Sequence, residues 1–78
     1  MTDRLDSRSL RQFVAVAETL SFRQAAETLH MSQPPLSRAI RQLEGRLGTP
    51  LFERNTQSVT LAPAGQRLLP LARRVLRL

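Results

Sequence analysis

The amino-acid sequence predicts a mainly α-helical domain: three short helices, then a β-hairpin, then a longer fourth helix. Three observations carry that expectation. Apolar residues recur at spacings of three and four in several separate segments, as they do along one side of an α-helix. Two of these segments are joined by a tight turn at His30 and Met31. After Gly48 the period shortens to the alternation of strands, and a helical period returns at Pro63.

The stretch Ser32 to Gly48, S-Q-P-P-L-S-R-A-I-R-Q-L-E-G-R-L-G, organises the rest. Leu36, Ile40, Leu43 and Leu47 fall on one side of a helix and are expected to be buried. At about 100° per residue, Pro34, Arg38 and Arg41 lie opposite, with Gln33 and Ser37 on the flank at the amino-terminal end. Ser32 is placed to cap the first turn, Pro34 and Pro35 stand where N–H groups lack helical partners, and Gly48 supplies the stop.

Upstream, Met1 to Asp6 is polar and without period, a loose leader whose Asp6, or else Ser7, caps the next helix. From Ser7 to about Leu20, residues Leu10, Phe13, Val14, Ala17 and Leu20 form an apolar stripe, with Arg8, Arg11, Gln12, Glu18 and Thr19 facing away. Ser21 and Gln24 have the spacing of a capping box and open a short helix with Phe22, Ala25, Ala26 and Leu29 inward. The small Ala25–Ala26 pair allows close approach of another helix. Two helices joined by so short a turn, the second exposing polar groups at its amino end, form a helix-turn-helix.

Leu51 to Arg54 and Val59 to Leu61 then alternate as short strands around the turn formers Asn55, Thr56, Gln57 and Ser58, and a hairpin in this place is a wing. The predicted architecture is a winged helix-turn-helix over residues 1–62 and a linker helix over 63–78. Leu68, Leu69, Ala72, Val75 and Leu76 stripe that last helix. Pro70 should bend it, and Gly65 should weaken it further. The chain ends at Leu78 without a cap, as expected of a helix continuing into a longer protein.

Composition narrows the function. Twelve basic residues, all arginine, stand against six acidic ones for a net charge of +6, which favours a polyanionic partner, although charge can also serve solubility alone. There is no cysteine, so neither a disulfide framework nor a thiolate metal site is available, and a reducing cytoplasm is compatible. No apolar run reaches the length of a membrane span. His30 is the one histidine, and the carboxylates form no catalytic pairing, so neither an enzyme nor a metal or other cofactor is expected.

Ala25–Ala26, Leu29, Ser32-Gln33-Pro34-Pro35-Leu36-Ser37, Ile40, Leu43-Glu44, Leu47-Gly48, Leu51-Phe52-Glu53-Arg54 and Ala64-Gly65, in this order and spacing, resemble the amino-terminal domain of LysR-type transcriptional regulators. The resemblance covers nearly the whole chain. It implies a bacterial, cytoplasmic regulator, on the nucleoid when bound, whose linker helix pairs with that of a second subunit. It also implies a further domain sensing a small-molecule effector, and commonly a tetramer on promoter DNA with dyad-like half-sites. Family base contacts in the major groove carry over to Gln33, Pro34, Pro35, Ser37 and Arg38, and a wing contribution to the segment after Arg54. Two positions depart from the family pattern. Gln57 stands where many members have a basic wing tip, and Ala62 where many have a threonine cap, so the linker helix should start less firmly.

Each side chain has a plainer reading beside this one. Gln33 offers the donor and acceptor that adenine presents in the major groove, or is a solvated second cap. Pro34 and Pro35 offer apolar edges to a thymine methyl, or are plain helix starters. Arg38 and Arg41 can hold guanine or phosphate, or keep the surface wet. Ser21, Arg23, Ser37 and Arg54 fit phosphate contacts, with capping competing for Ser21 and helix polarity for Arg23. Ser32, Arg41 and Gln57 join the backbone set. Leu68, Leu69, Ala72, Val75 and Leu76 are assigned to a dimer seam, because so small a domain offers them little core. The alternative, a winged helix used to dock protein or RNA, should expose an apolar patch where this chain has Gln33, Ser37 and Arg38.

Overall fold

The computed structural model describes residues 6–77; the expected leader Met1–Leu5 and the chain end at Leu78 lie outside them. Helices α1 (Ser7–Thr19), α2 (Phe22–Thr28) and α3 (Gln33–Leu47) precede a two-stranded antiparallel hairpin of β1 (Phe52–Arg54) and β2 (Val59–Leu61), and α4 (Pro63–Leu76) follows. The winged helix-turn-helix is therefore present in the predicted order. Among the described residues no helix is long and apolar enough to cross a membrane.

Helix α1 is the hub, packing against α2, α3 and α4. It begins where the Asp6 carboxylate accepts from the Ser9 N–H at 2.9 Å. That N–H, then the Ser9 hydroxyl, then Arg46 and Arg8 hold the Asp6 carboxyl below its ordinary range. A carboxylate that is a stronger acid in the folded chain contributes stability above its unfolded-state pKa and loses it as pH falls through the lowered value. Asp6→Ala is expected to flatten the acid limb of stability against pH, as urea unfolding at neutral and acid pH would measure.

Because several elements cover α1, its buried arc is wider than one stripe, and Val16, which the periodicity did not select, is fully buried. Leu20, expected in the stripe, is instead 43% exposed. The helix has ended by then: Leu20 adopts left-handed backbone at φ 51° and leaves the helical phase.

At the start of α2 the Ser21 Oγ accepts from the Gln24 N–H at 3.1 Å, as expected, but the reciprocal half of the box is not made. The Ser21 N–H donates to Thr19 Oγ1 instead. The α2–α3 turn closes with His30 in left-handed backbone, its N–H on the Glu27 carbonyl and that of Met31 on the Ala26 carbonyl. These two bonds satisfy orphan carbonyls of α2 and fix where α3 begins.

Leu36, Ile40 and Leu43 of α3 are buried with Phe13, Val16 and Leu51, and Leu47 packs on that core as expected. Phe52, facing Leu61 across the hairpin, carries the wing into the core through Phe13 at 5.5 Å and Phe22 at 6.1 Å between ring centroids. The Asn55 side chain accepts from the Gln57 and Ser58 N–H groups, closing the wing tip.

Helix α4 starts at Ala62 without a side-chain cap, in line with the missing threonine hydroxyl. Gly65 has a role beyond weakening it. A Cβ there would overlap the Leu51 carbonyl oxygen and come within 2.8 Å of Leu61 Cδ2, so the glycine lets α4 dock against the entrance to the hairpin. Pro70 lies on the exposed side, and α4 remains helical through it to Leu76.

Candidate nucleic-acid interface

The amino end of α3 is built differently from those of α1 and α2. Ser32 has extended backbone but makes no side-chain cap. A capping hydroxyl takes the N–H of the second or third helical residue, and here those residues are Pro34 and Pro35, which have none. The expected cap fails for that reason, and Ser32 stays exposed.

Gln33 and Pro34 are exposed, whereas Pro35 and Ser37 are half-buried. Gln33, Pro34 and Ser37 bound a shallow depression at the helix start. Beside it, a second open concavity is lined by the cap Ser21 and by Phe22 and Arg23 of α2, by Gln33, and by the wing from Asn55 to Val59. Four residues singled out in the sequence, Ser21, Arg23, Gln33 and Gln57, thus meet in one concavity although they come from three elements. Arg38 and Arg41 lie outside it, further along the exposed side of α3.

Arg23 pairs with Glu27 at 3.2 Å, with both side chains about two-thirds exposed. An exposed pair one turn apart contributes only about 0.3–0.5 kcal/mol, so Arg23 is readily exchanged onto another anion. Arg54 is held more firmly: its Nη2 donates to Glu44 Oε1 at 2.8 Å, and its guanidinium lies 5.2 Å from the centroid of the Phe22 ring. Glu44 Oε2 accepts from the N–H groups of Leu51 and Phe52. The functional reading of the sequence passed over Glu44, although a signal existed: at about 100° per residue it borders the buried face of α3, where a carboxylate needs partners.

The apolar stripe of α4 divides in two. Ala72 is 1% exposed within the single chain, and Leu69 and Leu76 are half-buried against the same core. Arg73 fastens this side further, reaching Glu18 of α1 at 3.1 Å. Among the described residues the opposite edge is unpartnered: Val75 is 67% and Leu71 51% exposed, and both line an apolar groove with Leu10, Leu68 and Ala72. Ala72 is core after all, because α4 folds back onto α1, and Leu71, not singled out before, joins the free face.

A model of the family described as "Bacterial regulatory helix-turn-helix protein, lysR family" matches residues 7–66. The chain belongs to the LysR family. Among curated members of that family, it is 53% identical over 73 residues to the transcriptional regulator XapR of Escherichia coli strain K12, covering 94% of this chain and 25% of XapR. It is 52% identical over 66 residues to IlvR of Caulobacter vibrioides, covering 85% of this chain and 22% of IlvR. The chain thus spans about a quarter of the length of these relatives. Among solved LysR-family structures, the BenM DNA-binding domain in complex with benA site 1 DNA superposes with a TM-score of 0.89 at 44% identity, covering 94% of this chain and 82% of that one. The CbnR DNA-binding domain in its DNA complex gives 0.89 at 42%, covering 94% and 84%.

Proposed function

We propose that this domain binds double-stranded DNA in a sequence-specific manner as the DNA-binding part of a LysR-type transcriptional regulator. The observation that carries this reading is the convergence of the polar start of α3, the start of α2 and the wing tip on one exposed concavity. In the reading, the first turns of α3 enter the major groove, where Gln33, Pro34, Pro35, Ser37 and Arg38 meet base edges. The wing lies near the adjacent minor groove, while Ser21, Arg23, Ser32, Arg41 and Gln57 hold the backbone and set the register; Arg54, expected in the same set, is instead engaged by Glu44. The domain is a binding module and not an enzyme. Similarity to relatives solved as DNA complexes supports the partner.

The larger assembly is part of the same proposal. Residues 63–78 form the linker segment, and the exposed edge of α4 pairs with its counterpart in a second copy about a twofold axis, which suits operators with dyad half-sites. The full-length regulator is a tetramer that works in the bacterial cytoplasm, on the nucleoid when bound. It takes a small-molecule effector through a domain outside this chain.

Gln33→Ala tests the placement of α3. It is expected to cost roughly 1–3 kcal/mol on a duplex selected from a random pool by the unmodified chain, and almost nothing on random duplex. Equal losses on the two, measured by fluorescence anisotropy, would remove Gln33 from the base-reading set.

A further inference from the structure

Glu44 is the side chain on which α3, the entrance to the hairpin and β1 converge. Its carboxylate is 13% exposed and makes three bonds: from the N–H of Leu51 at 2.8 Å, from the N–H of Phe52 at 3.2 Å, and from Arg54 Nη2 at 2.8 Å. Resting on the DNA-binding reading above, we infer that Glu44 is a positioning and specificity residue that anchors the wing to α3 and withholds the charge of Arg54 from DNA.

The placement of Arg54 makes this consequential. Its guanidinium stacks over Phe22, and Phe22 lines the concavity assigned to DNA, so an unpaired cation there would lie at the interface. Arg54 is 26% exposed, against 67% for Arg23. A partly buried pair is screened less by salt than a surface one, so a phosphate must displace a carboxylate already in contact and leave it paired with two backbone N–H groups alone. From Asn55 to Gln66 the chain carries no charged residue, so with Arg54 neutralised the tip and second strand of the wing bring no cation to DNA. A phosphate-bound cation strengthens binding to every sequence alike. Withholding one lowers non-specific affinity while leaving base discrimination to α3, and the ratio between operator and random DNA is what selects a site in a genome.

Two conservative substitutions separate this from a purely structural role. In Glu44→Gln the amide oxygen can keep both backbone bonds while its NH₂ group faces the guanidinium, donor against donor, and frees Arg54. Arg54→Met keeps an unbranched stem over Phe22 and removes the charge. Affinity would be read by anisotropy across a salt series, on random duplex and on a duplex selected from a random pool by the unmodified chain. Glu44→Gln is expected to tighten binding to random duplex and to narrow the preference for the selected one. Its slope of log affinity against log salt should steepen by about 0.9 per protomer, an additional loss of about threefold for a fourfold rise in salt. Arg54→Met should leave the slope of the unmodified chain unchanged, and the double variant should return to it. A slope flattened by about 0.9 in Arg54→Met would overturn the inference whether or not Glu44→Gln folds, because Arg54 would then already be on phosphate. So would a folded Glu44→Gln with an unchanged slope, or a double variant that keeps the gain. Salt-independent or absent binding of duplex by the unmodified chain is a different result, and it would remove the DNA-binding reading itself.

Discussion

Replacing Leu71 with aspartate is expected to give a chain that keeps its helical content and unfolding transition, yet sediments as a monomer. It should bind a two-half-site duplex about a hundredfold or more weakly, the range by which joining two binding modules raises avidity. Leu71 is half exposed in the single chain and Val75 more so, and they border an apolar groove reaching Leu10 and Leu68. An apolar edge of this kind facing water is what a self-complementary interface buries, and a carboxylate at its centre would be desolvated without a partner. The choice of residue matters. Leu69→Asp would strike the same helix, but Leu69 packs against the core of its own chain, so loss of the dimer and loss of the fold could not be told apart. A Leu71→Asp chain that remains dimeric at micromolar concentration, with undiminished affinity for the duplex, would remove this edge of α4 from the interface.

Gly65→Ala is expected to destabilise the domain by about 1–3 kcal/mol, the usual range for overpacking a well-filled site. At about 4–8 °C per kcal/mol for a domain of this size, the loss is visible in a melting curve. Two effects of opposite sign compete. Alanine in a helix interior ordinarily gains about 0.5–1 kcal/mol over glycine, through a less flexible unfolded chain. Against that, the new methyl would overlap the Leu51 carbonyl oxygen. That oxygen is not free to move, because it accepts from the Ala62 N–H at 2.9 Å while the Leu51 N–H is held by Glu44. The clash therefore wins. Gly45 on α3 supplies the contrast: nothing lies within 4 Å of a Cβ placed there, so Gly45→Ala should stabilise by about the ordinary gain. Calorimetry of the two variants side by side reads the difference in sign, and stabilisation by both would mean that α4 can shift away from the hairpin at little cost.

How far the sequence revealed this molecule depends on the range of the interaction concerned. The inward face of α3, the Asp6 and Ser21 caps and the hairpin around Asn55 are set by residues within a few positions of one another, and local period and turn chemistry are enough to find them. What covers a face is decided by chain far away. The half-burial of Leu69 and the fit of Gly65 against Leu51 follow from α4 folding back onto α1 and the hairpin, and the burial of Val16 from the several elements packed around α1. No periodicity within α4 announces that return, since its apolar arc reads alike as core or as seam. The Glu44–Arg54 pair lies between these cases. Both residues were visible, one at the margin of a buried face and the other at the end of a strand, but only the tertiary arrangement joins them and not Arg54 to its neighbour Glu53.

The proline pair at the head of α3 has a consequence for the kind of atom that helix can greet. The start of an ordinary helix offers a cluster of unshared N–H groups and half a unit of positive charge, which makes it a ready seat for phosphate. With Pro34 and Pro35 in the first turn, two of those donors do not exist, and the serine before them keeps a hydroxyl that no backbone amide claims. The tip of α3 thus arrives as a blunt prow with few N–H groups to seat an anion. In the DNA-binding reading, what it can still meet are the edges of the bases, through methyl-sized contacts and the Gln33 amide, and the sugar–phosphate rails are left to the Ser32 hydroxyl and the flanks.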